Sequence, residues 1–278
     1  MAARCREREA SEVSDSPEGT ARPDTTVAHN ARVWNYWIGG EDHYEVDRRV
    51  GAQVAGLFPV IRDVARADRD FLGRAVALLA GERGVRQFLD IGTGLPTVDN
   101  THEIAQRIAP DSKIVYVDND PTVLLHARNL LTSTPEGVTG YLDADVREPE
   151  TIVARAGGTL DFERPVAVMM LGVLNFVPDT DQAREIVRRV MAAVPSGSFL
   201  VLTHPTFDAD LGGEGNVAAM EFWNAHATPP ITARPREEVA GFFAGLDLLE
   251  PGLVPCSRWR AEAHAPVVPQ FGAVAVKP

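Results

Sequence analysis

Two hydropathy rhythms alternate along this chain. Short, nearly continuous apolar runs at Phe88–Ile91, Lys113–Val117, Gly140–Leu142, Val166–Leu171 and Ser198–Leu202 read as strands buried on both faces. Between them, apolar residues recur at helical spacing. Val50 to Gly81 reads as two helices broken near Phe58-Pro59, since proline removes a backbone donor. The second helix carries Phe71, Leu72, Ala75, Val76 and Leu79 along one face. Thr97 to Ala109 reads as a helix with Ile104 and Ile108 on one side, and Pro121 opens another through Leu131, at the first turn, where a missing N–H loses nothing. Asp179 is placed to cap a helix bearing Ile186, Val187, Val190 and Met191. Residues 206–232 form a long insertion after the fifth strand, helical around Val217, Met220 and Trp223, a common place for a lid or specificity element. Pro235 begins a further helix, and Leu246–Leu249, Leu253–Cys256 and Phe271–Val276 supply the last strand material. Strands alternating with helices predict an α/β fold built on a doubly wound, mostly parallel sheet. No internal repeat is visible.

The ends of the pattern differ from its middle. Residues 1–26 are rich in Arg, Glu, Ser, Pro and Thr and nearly free of large apolar side chains, which predicts a disordered tail. Residues 27–86 read as an N-terminal helical cap, with the main domain over 87–278. Within the cap, Trp34, Tyr36, Trp37 and Tyr44 fall in eleven residues around Gly39-Gly40, beside Asn35, Asp42 and His43. Half of the chain's four Trp and four Tyr are here. Such density suits a wall over a ligand pocket, contributed by residues such as Tyr36 and Gly40. The same stretch also reads as a helix stapled to the core through Trp34 and Trp37 and stopped by the glycines.

Composition narrows the class. A net charge of −12 argues against binding a polyanion by bulk attraction, so nucleic acid is disfavoured as a partner. The two cysteines, Cys5 and Cys256, lie at opposite ends of the chain and imply neither a disulfide framework nor a metal site. No apolar run approaches the length of a membrane span, and the first residues lack a signal-peptide core. A cytoplasmic protein is the expectation.

The candidate chemistry sits where strands end. Phe88-Leu89-Asp90-Ile91 is followed by Gly92-Thr93-Gly94 and a helical pattern, an arrangement that brings backbone up against an adenosine-type ligand. Asp118 follows the second strand and Asp145 the third, at intervals of 28 and 27 residues, each one strand–helix unit. Ligands of such sheets bind at the carboxyl ends of the strands. Asp118, with Asn119 beside it, is placed to accept from ribose hydroxyls. Asp145 is placed to accept from an adenine amino group, with the Val146 N–H available to the ring. Asp90 fixes the turn or reaches the amino-acid end of the ligand. A dinucleotide fingerprint needs a third glycine where Thr97 stands, and no Walker loop is present. An adenosine ligand without pyrophosphate fits better than NAD or ATP.

At these residues the sequence resembles the class I S-adenosylmethionine-dependent methyltransferases. NARVWNYWIGGEDHYEVDR, FLDIGTGLPTVDNTHEIAQ, VYVDNDP, LLTSTPEG and YLDADVREP resemble, more narrowly, the actinobacterial S-adenosyl methyltransferase family once catalogued as a domain of unknown function. The resemblance runs from about Ala28 to the C-terminus. It implies a Rossmann-like, seven-stranded sheet with an antiparallel last strand, an N-terminal cap over the cofactor, and S-adenosyl-L-methionine as that cofactor, held by Asp90, Gly92, Thr93, Gly94, Asp118, Asn119, Asp145 and Val146. It names no substrate. Asn175, after the fourth strand, stands where histidine is expected in relatives.

Methyl transfer from a sulfonium mainly requires positioning and exclusion of water. A base is needed only for an acceptor protonated at working pH. His204, after the fifth strand in LVLTHPT, is the best-placed base; Tyr36, His43 and Tyr44 are further candidates, and Asn175 is assigned to positioning. Thr93, Thr97 and Asn100 offer polar contacts near the glycine turn, and His102 reads as a capping or solvent-facing residue. A small-molecule acceptor is the remaining expectation, because the Asn/Asp-Pro-Pro-Tyr signature of base amino-group methylation is absent. Two readings from other classes stay open: a non-catalytic S-adenosylmethionine-binding protein, and a nicotinamide-dependent dehydrogenase, the latter opposed by Thr97.

Overall fold

In the computed structural model the residues described are 24–278, except 121, 124, 125, 127–131 and 263. The parallel core strands are β2 (Gln87–Ile91), β3 (Lys113–Asp118), β4 (Val138–Asp143), β5 (Ala167–Leu171) and β6 (Phe199–Pro205). The last strand, β10 (Gln270–Val276), runs antiparallel against β6, with Gln270 opposite Pro205. Two short strands, β8 (Asp247–Leu248) and β9 (Val254–Pro255), pair with its other edge. The order is β4-β3-β2-β5-β6-β10-β8 in an eight-stranded sheet. The seven strands implied by the resemblance are therefore present, and β9 is an addition.

Alternation along the strands sends successive residues to opposite faces, and the two faces bury different things. Leu89, Ile91, Val168, Met170, Leu200 and Leu202 face an apolar layer with α5 (Pro149–Ala156), α6 (Thr180–Ala192) and α8 (Arg236–Gly241). Phe88, Ile114, Tyr116, Met169 and Val201 face the opposite layer, which takes in the N-terminal helices α1 (Asn30–Trp37), α2 (Glu45–Leu57) and α3 (Ile61–Ala77). Asp90 shares the parity of Phe88 and pairs across to Tyr116 and Met169. It therefore faces the N-terminal helices.

The break between α2 and α3 falls at Phe58-Pro59-Val60, as the proline requires. Arg32 and Asp47, both almost fully buried, pair at 2.8 Å. Asp47 also accepts from the backbone N–H groups of His29 and Tyr44. Arg32 reaches back to the carbonyls of Asp24 and Val27, so Asp24, in the expected tail, is tied to the cap. Residues 1–23 of that tail lie outside the described residues. The 206–232 segment carries α7 (Glu214–His226) and β7 (Ala227–Thr228), which pairs in parallel with β1 (Ala28–His29). Trp37 of α1 and Trp223 of α7 meet with ring centroids 6.3 Å apart. The segment after the fifth strand and the N-terminal helices thus form one roof.

Two expected boundaries shift. The helix expected from Thr97 is α4 (Thr101–Ile108), because Asn100 and Glu103 form a capping box in which Glu103 accepts from Asn100 N at 2.7 Å, while Asn100 Oδ1 accepts from Thr97 N at 3.0 Å and holds the turn before the helix. The fifth strand runs on through His204 to Pro205. Of the helix expected over Pro121–Leu131, Thr122, Val123 and His126 are helical and the rest lies outside the described residues.

Candidate functional site

The glycine turn hangs on the neighbouring strand. Gly92 and Thr93 donate their backbone N–H groups to Val117 O, at 2.8 and 3.3 Å, and Gly94 N donates to Asp118 Oδ2 at 2.9 Å. These groups were expected to face a ligand; they are instead engaged within the protein. Each glycine is needed for a different reason. At Gly92 (φ +78) an added Cβ would lie 2.5 Å from Val173, so its absence lets the loop after β5 close onto the turn. At Gly94 (φ +66) a Cβ would meet nothing within 4 Å; there the left-handed backbone is the requirement.

A cavity opens over the carboxyl ends of the strands, and Asp90, Gly92, Thr93, Gly94, Asp118, Asn119, Asp145 and Val146 all line it. The three strand-end acids are brought together as expected, each in a distinct setting. Asp90 is buried and accepts from Thr101 Oγ1 at 2.6 Å; burial raises its carboxyl to about 6 against that bond's lowering effect. Asp118 accepts Gly94 N on one oxygen and Asp120 N on the other, and burial raises it also to about 6. Asp145 accepts from Asn119 Nδ2 at 3.1 Å and pairs with Arg147, whose other arm reaches Phe176 O at 2.6 Å. This chain of contacts joins the ends of β3 and β4 to the loop after β5.

The adjacent half of the cavity lies over the ends of β5 and β6 and the start of β10. Val54, Phe58, Ile61 and Val64 from the N-terminal helices and Met220 and Trp223 from α7 line it. Asn216 anchors α7 there by donating to Thr206 O at 3.1 Å. Asn175 lines the cavity, and its Oδ1 is buried with no protein partner.

Other expected site residues sit elsewhere. His204 does not line the cavity. Strand parity turns it to the far side of the sheet, where it packs on Phe242, wholly buried. Its Nδ1 is 2.8 Å from Pro205 O and its Nε2 is 2.8 Å from Arg234 Nη1. A guanidinium only donates, so Nε2 accepts and Nδ1 carries the proton. Burial pushes the imidazole down to about 3, and this neutral histidine has no free nitrogen to act as a base. Tyr36 is also outside the cavity: helical spacing puts Ala31, Trp34 and Asn35 on its wall, and Tyr36 opposite, bonded to Arg62 and packed on His43. Gly40 acts through Asn35, since a Cβ there would lie 2.4 Å from that side chain. His43 and Tyr44 are not on the wall either. Thr97 lines it, whereas Asn100 caps α4. His102, expected at a cap or in solvent, is buried beside Tyr116, with Nδ1 2.9 Å from the phenol oxygen.

The expected site residues did not include Asp68, Arg69 or Gln270. Asp68 and Arg69 project from α3, and Gln270 from the start of β10. Gln270 Nε2 donates to Asp68 Oδ1, which fixes Asp68 over the β6–β10 end. Arg69 reaches the other way, to Val98 O and Asn100 Oδ1, and its Nε is buried without a partner. A signal existed for Asp68. It interrupts the buried stripe Val64, Ala65, Phe71, Leu72, Ala75 of α3 at a position where an apolar residue belongs.

A parallel sheet with a glycine turn after its central strand and acids at three successive strand ends defines a Rossmann-like protein that binds a nucleoside-type cofactor. The comparisons make this specific. Residues 17–278 match the model of the S-adenosyl methyltransferase family, and the chain belongs to that family. A DUF574 family protein from Streptomyces avermitilis MA-4680 is 43% identical, with a TM-score of 0.87 covering 92% of this chain and 99% of that one. A proposed methyltransferase from Thermobifida fusca YX is 34% identical, with a TM-score of 0.83 covering 91% and 96%. The plantazolicin methyltransferase BpumL, solved with S-adenosylhomocysteine, shares the fold at 9% identity and a TM-score of 0.50, over 89% and 95% of the two chains. No curated protein matches the sequence. The protein is an S-adenosylmethionine-dependent methyltransferase, and no helix among the described residues is long and apolar enough to cross a membrane.

Proposed function

We propose that this methyltransferase acts on a small-molecule acceptor, with the cofactor over β2, β3 and β4 and the acceptor over β5, β6 and β10. The cofactor, when bound, supplies a methyl group on a positively charged sulfur. The residues fit it. Asp118 keeps acceptor capacity for ribose hydroxyls beyond its two backbone bonds, with Asn119 beside it. Asp145 and the Val146 N–H serve the adenine edge, and buried Ala144 and Val146 supply apolar walls. Asp90, Thr93 and Gly94 take the amino-acid end, where the unpartnered Arg69 Nε offers a donor for a carboxylate. Gly92 contributes by letting Val173 close the pocket. Asn175 positions ligand through its unpaired Oδ1. In this reading residues 27–86 form the cap, residues 87–278 the main domain and residues 206–232 its lid.

The single observation carrying this reading is the convergence of Asp90, Asp118 and Asp145 on one cavity beside an unpaired arginine nitrogen. Calorimetric titration tests it with S-adenosylmethionine, S-adenosylhomocysteine and NAD, on the native protein and on Asp118→Ala. The adenosyl compounds should bind the native protein and lose affinity in the variant, and NAD should not bind. Preference for NAD, or equal binding by the variant, would overturn the assignment of this cavity.

A further inference from the structure

The acceptor half of the cavity has a chemical bias of its own. Its walls are apolar and aromatic: Trp37, Phe58, Ile61, Met220 and Trp223. The indole N–H of Trp37 donates to Gly51 O at 3.0 Å and that of Trp223 to Pro229 O at 2.8 Å. Both rings therefore offer a ligand only carbon and π surface. Against these walls stands one charged group. Asp68 is 8% exposed and lines the cavity, and its position is fixed by Gln270.

The polar groups around it are arranged to accept. Asn175 Oδ1 is buried without a donor, while Asn216 and Gln270 direct their amide nitrogens at Thr206 O and Asp68. The charge count agrees. Among the described lining residues, Asp68, Asp90, Asp118 and Asp145 face Arg69 and Arg147, leaving two formal negative charges. The cofactor carries two positive groups and one negative group, so one negative charge remains once it binds. A carboxylate beside aromatic faces, in a cavity short of positive charge, is the chemistry that holds an organic cation.

We propose that the acceptor is a small, largely apolar amine, bound as its ammonium by Asp68 with Asn175 Oδ1 taking a second hydrogen. One N–H proton passes to the Asp68 carboxylate, the freed lone pair attacks the methyl carbon, and the C–S bond breaks to leave S-adenosylhomocysteine. The proposal rests on the assignment of the other half of the cavity to the cofactor. An anionic acceptor would meet Asp68 unshielded. A neutral alcohol would satisfy the hydrogen bonds but leave the charge uncompensated.

The test uses the full chain saturated with S-adenosylhomocysteine, whose binding is measured first. Failure at that step would overturn the cofactor reading. Tryptamine, benzylamine and cyclohexylamine are then titrated by calorimetry beside their alcohol and carboxylate counterparts of matched skeleton. At least one amine should bind about tenfold or more tighter than its alcohol, with the carboxylate weakest. Asp68→Asn should remove that preference while S-adenosylhomocysteine affinity holds and the melting temperature does not fall, and Asp68→Glu should restore part of it. The proposal is overturned if no amine binds to the loaded protein, if alcohols bind as well as amines, or if Asp68→Asn leaves the preference intact.

Discussion

The two halves of the cavity are built by different means. The half proposed for the cofactor is made by strand ends and the residues directly after them: Asp90 with Gly92 and Gly94, Asp118 with Asn119, Asp145 with Val146. Each group is local, so the sheet needs only to form for all of them to converge. The half proposed for the acceptor is made by elements far apart in sequence. Asp68 from α3 meets Gln270 across a separation of 202 residues, and Trp37 meets Trp223. One half is set by secondary structure, the other by tertiary packing. The first can persist while the second is reshaped, which suits a common donor used with differing acceptors.

The largest effect is expected where the acceptor wall is held from behind. Arg234 is 2% exposed and donates to the carbonyls of Leu174, Val177 and Pro178, to Thr180 Oγ1 and to His204 Nε2. It fixes the loop that carries Asn175 and Phe176. Arg234→Ala leaves several buried acceptors unsatisfied and should lower stability by about 3–5 kcal/mol in chemical denaturation. A loss below about 1 kcal/mol would mean the loop is held by something else.

In the cofactor half the corresponding residue is Asp118. Asp118→Ala removes the proposed ribose acceptor and frees Gly94 N and Asp120 N, so affinity for S-adenosylhomocysteine should fall by roughly 100-fold or more in calorimetry. Asp118→Asn should recover little, because its amide nitrogen cannot accept from either backbone group. Unchanged affinity in both variants would separate Asp118 from the cofactor.

How much of this was legible follows the same division. The core strands, the glycine turn and the three acids could be read because each is a short pattern with a local cause. Asp68 could have been noticed as a carboxylate in an apolar stripe, but its partner Gln270 could not, since no local pattern links them. His204 was misread for a simple physical reason. A histidine at the end of an apolar run was taken to lie beyond the strand, whereas the strand continues through it, and period-two alternation turns it away from the site. Tyr36 was misread likewise on a helix: aromatic density marked the right segment, and only the 3.6-residue period against a known core tells which side of it faces the cavity.

Adjacent residues of α3 sharpen the boundary. Arg69 reaches toward β2 and Asp68 toward β10, so one step along the helix crosses from donor to acceptor. Arg69→Ala should weaken S-adenosylhomocysteine binding by roughly tenfold to fiftyfold, while Asp68→Asn should change it by less than about threefold. Equal losses in the two variants would show one continuous subsite in place of two.

The smallest effect concerns the stability cost of keeping Asp68 where it is. Burial raises its carboxyl to about 6, with the bond from Gln270 lowering it less than burial raises it. Between about pH 4 and pH 6 the folded protein then holds more of this proton than the unfolded chain does. This group's contribution is therefore fully present below the unfolded carboxylate range and is lost as pH rises through about 6. Asparagine keeps the oxygen that Gln270 bonds and never ionises. Without ligands, Asp68→Asn should be more stable than the native protein by about 1–2 kcal/mol at pH 7.5, with the gap closing toward pH 4, as read from denaturation midpoints at the two pH values. A gap that widens at low pH would mean that Asp68 is held ionised by a partner, and that its negative charge contributes to the fold even before an acceptor arrives.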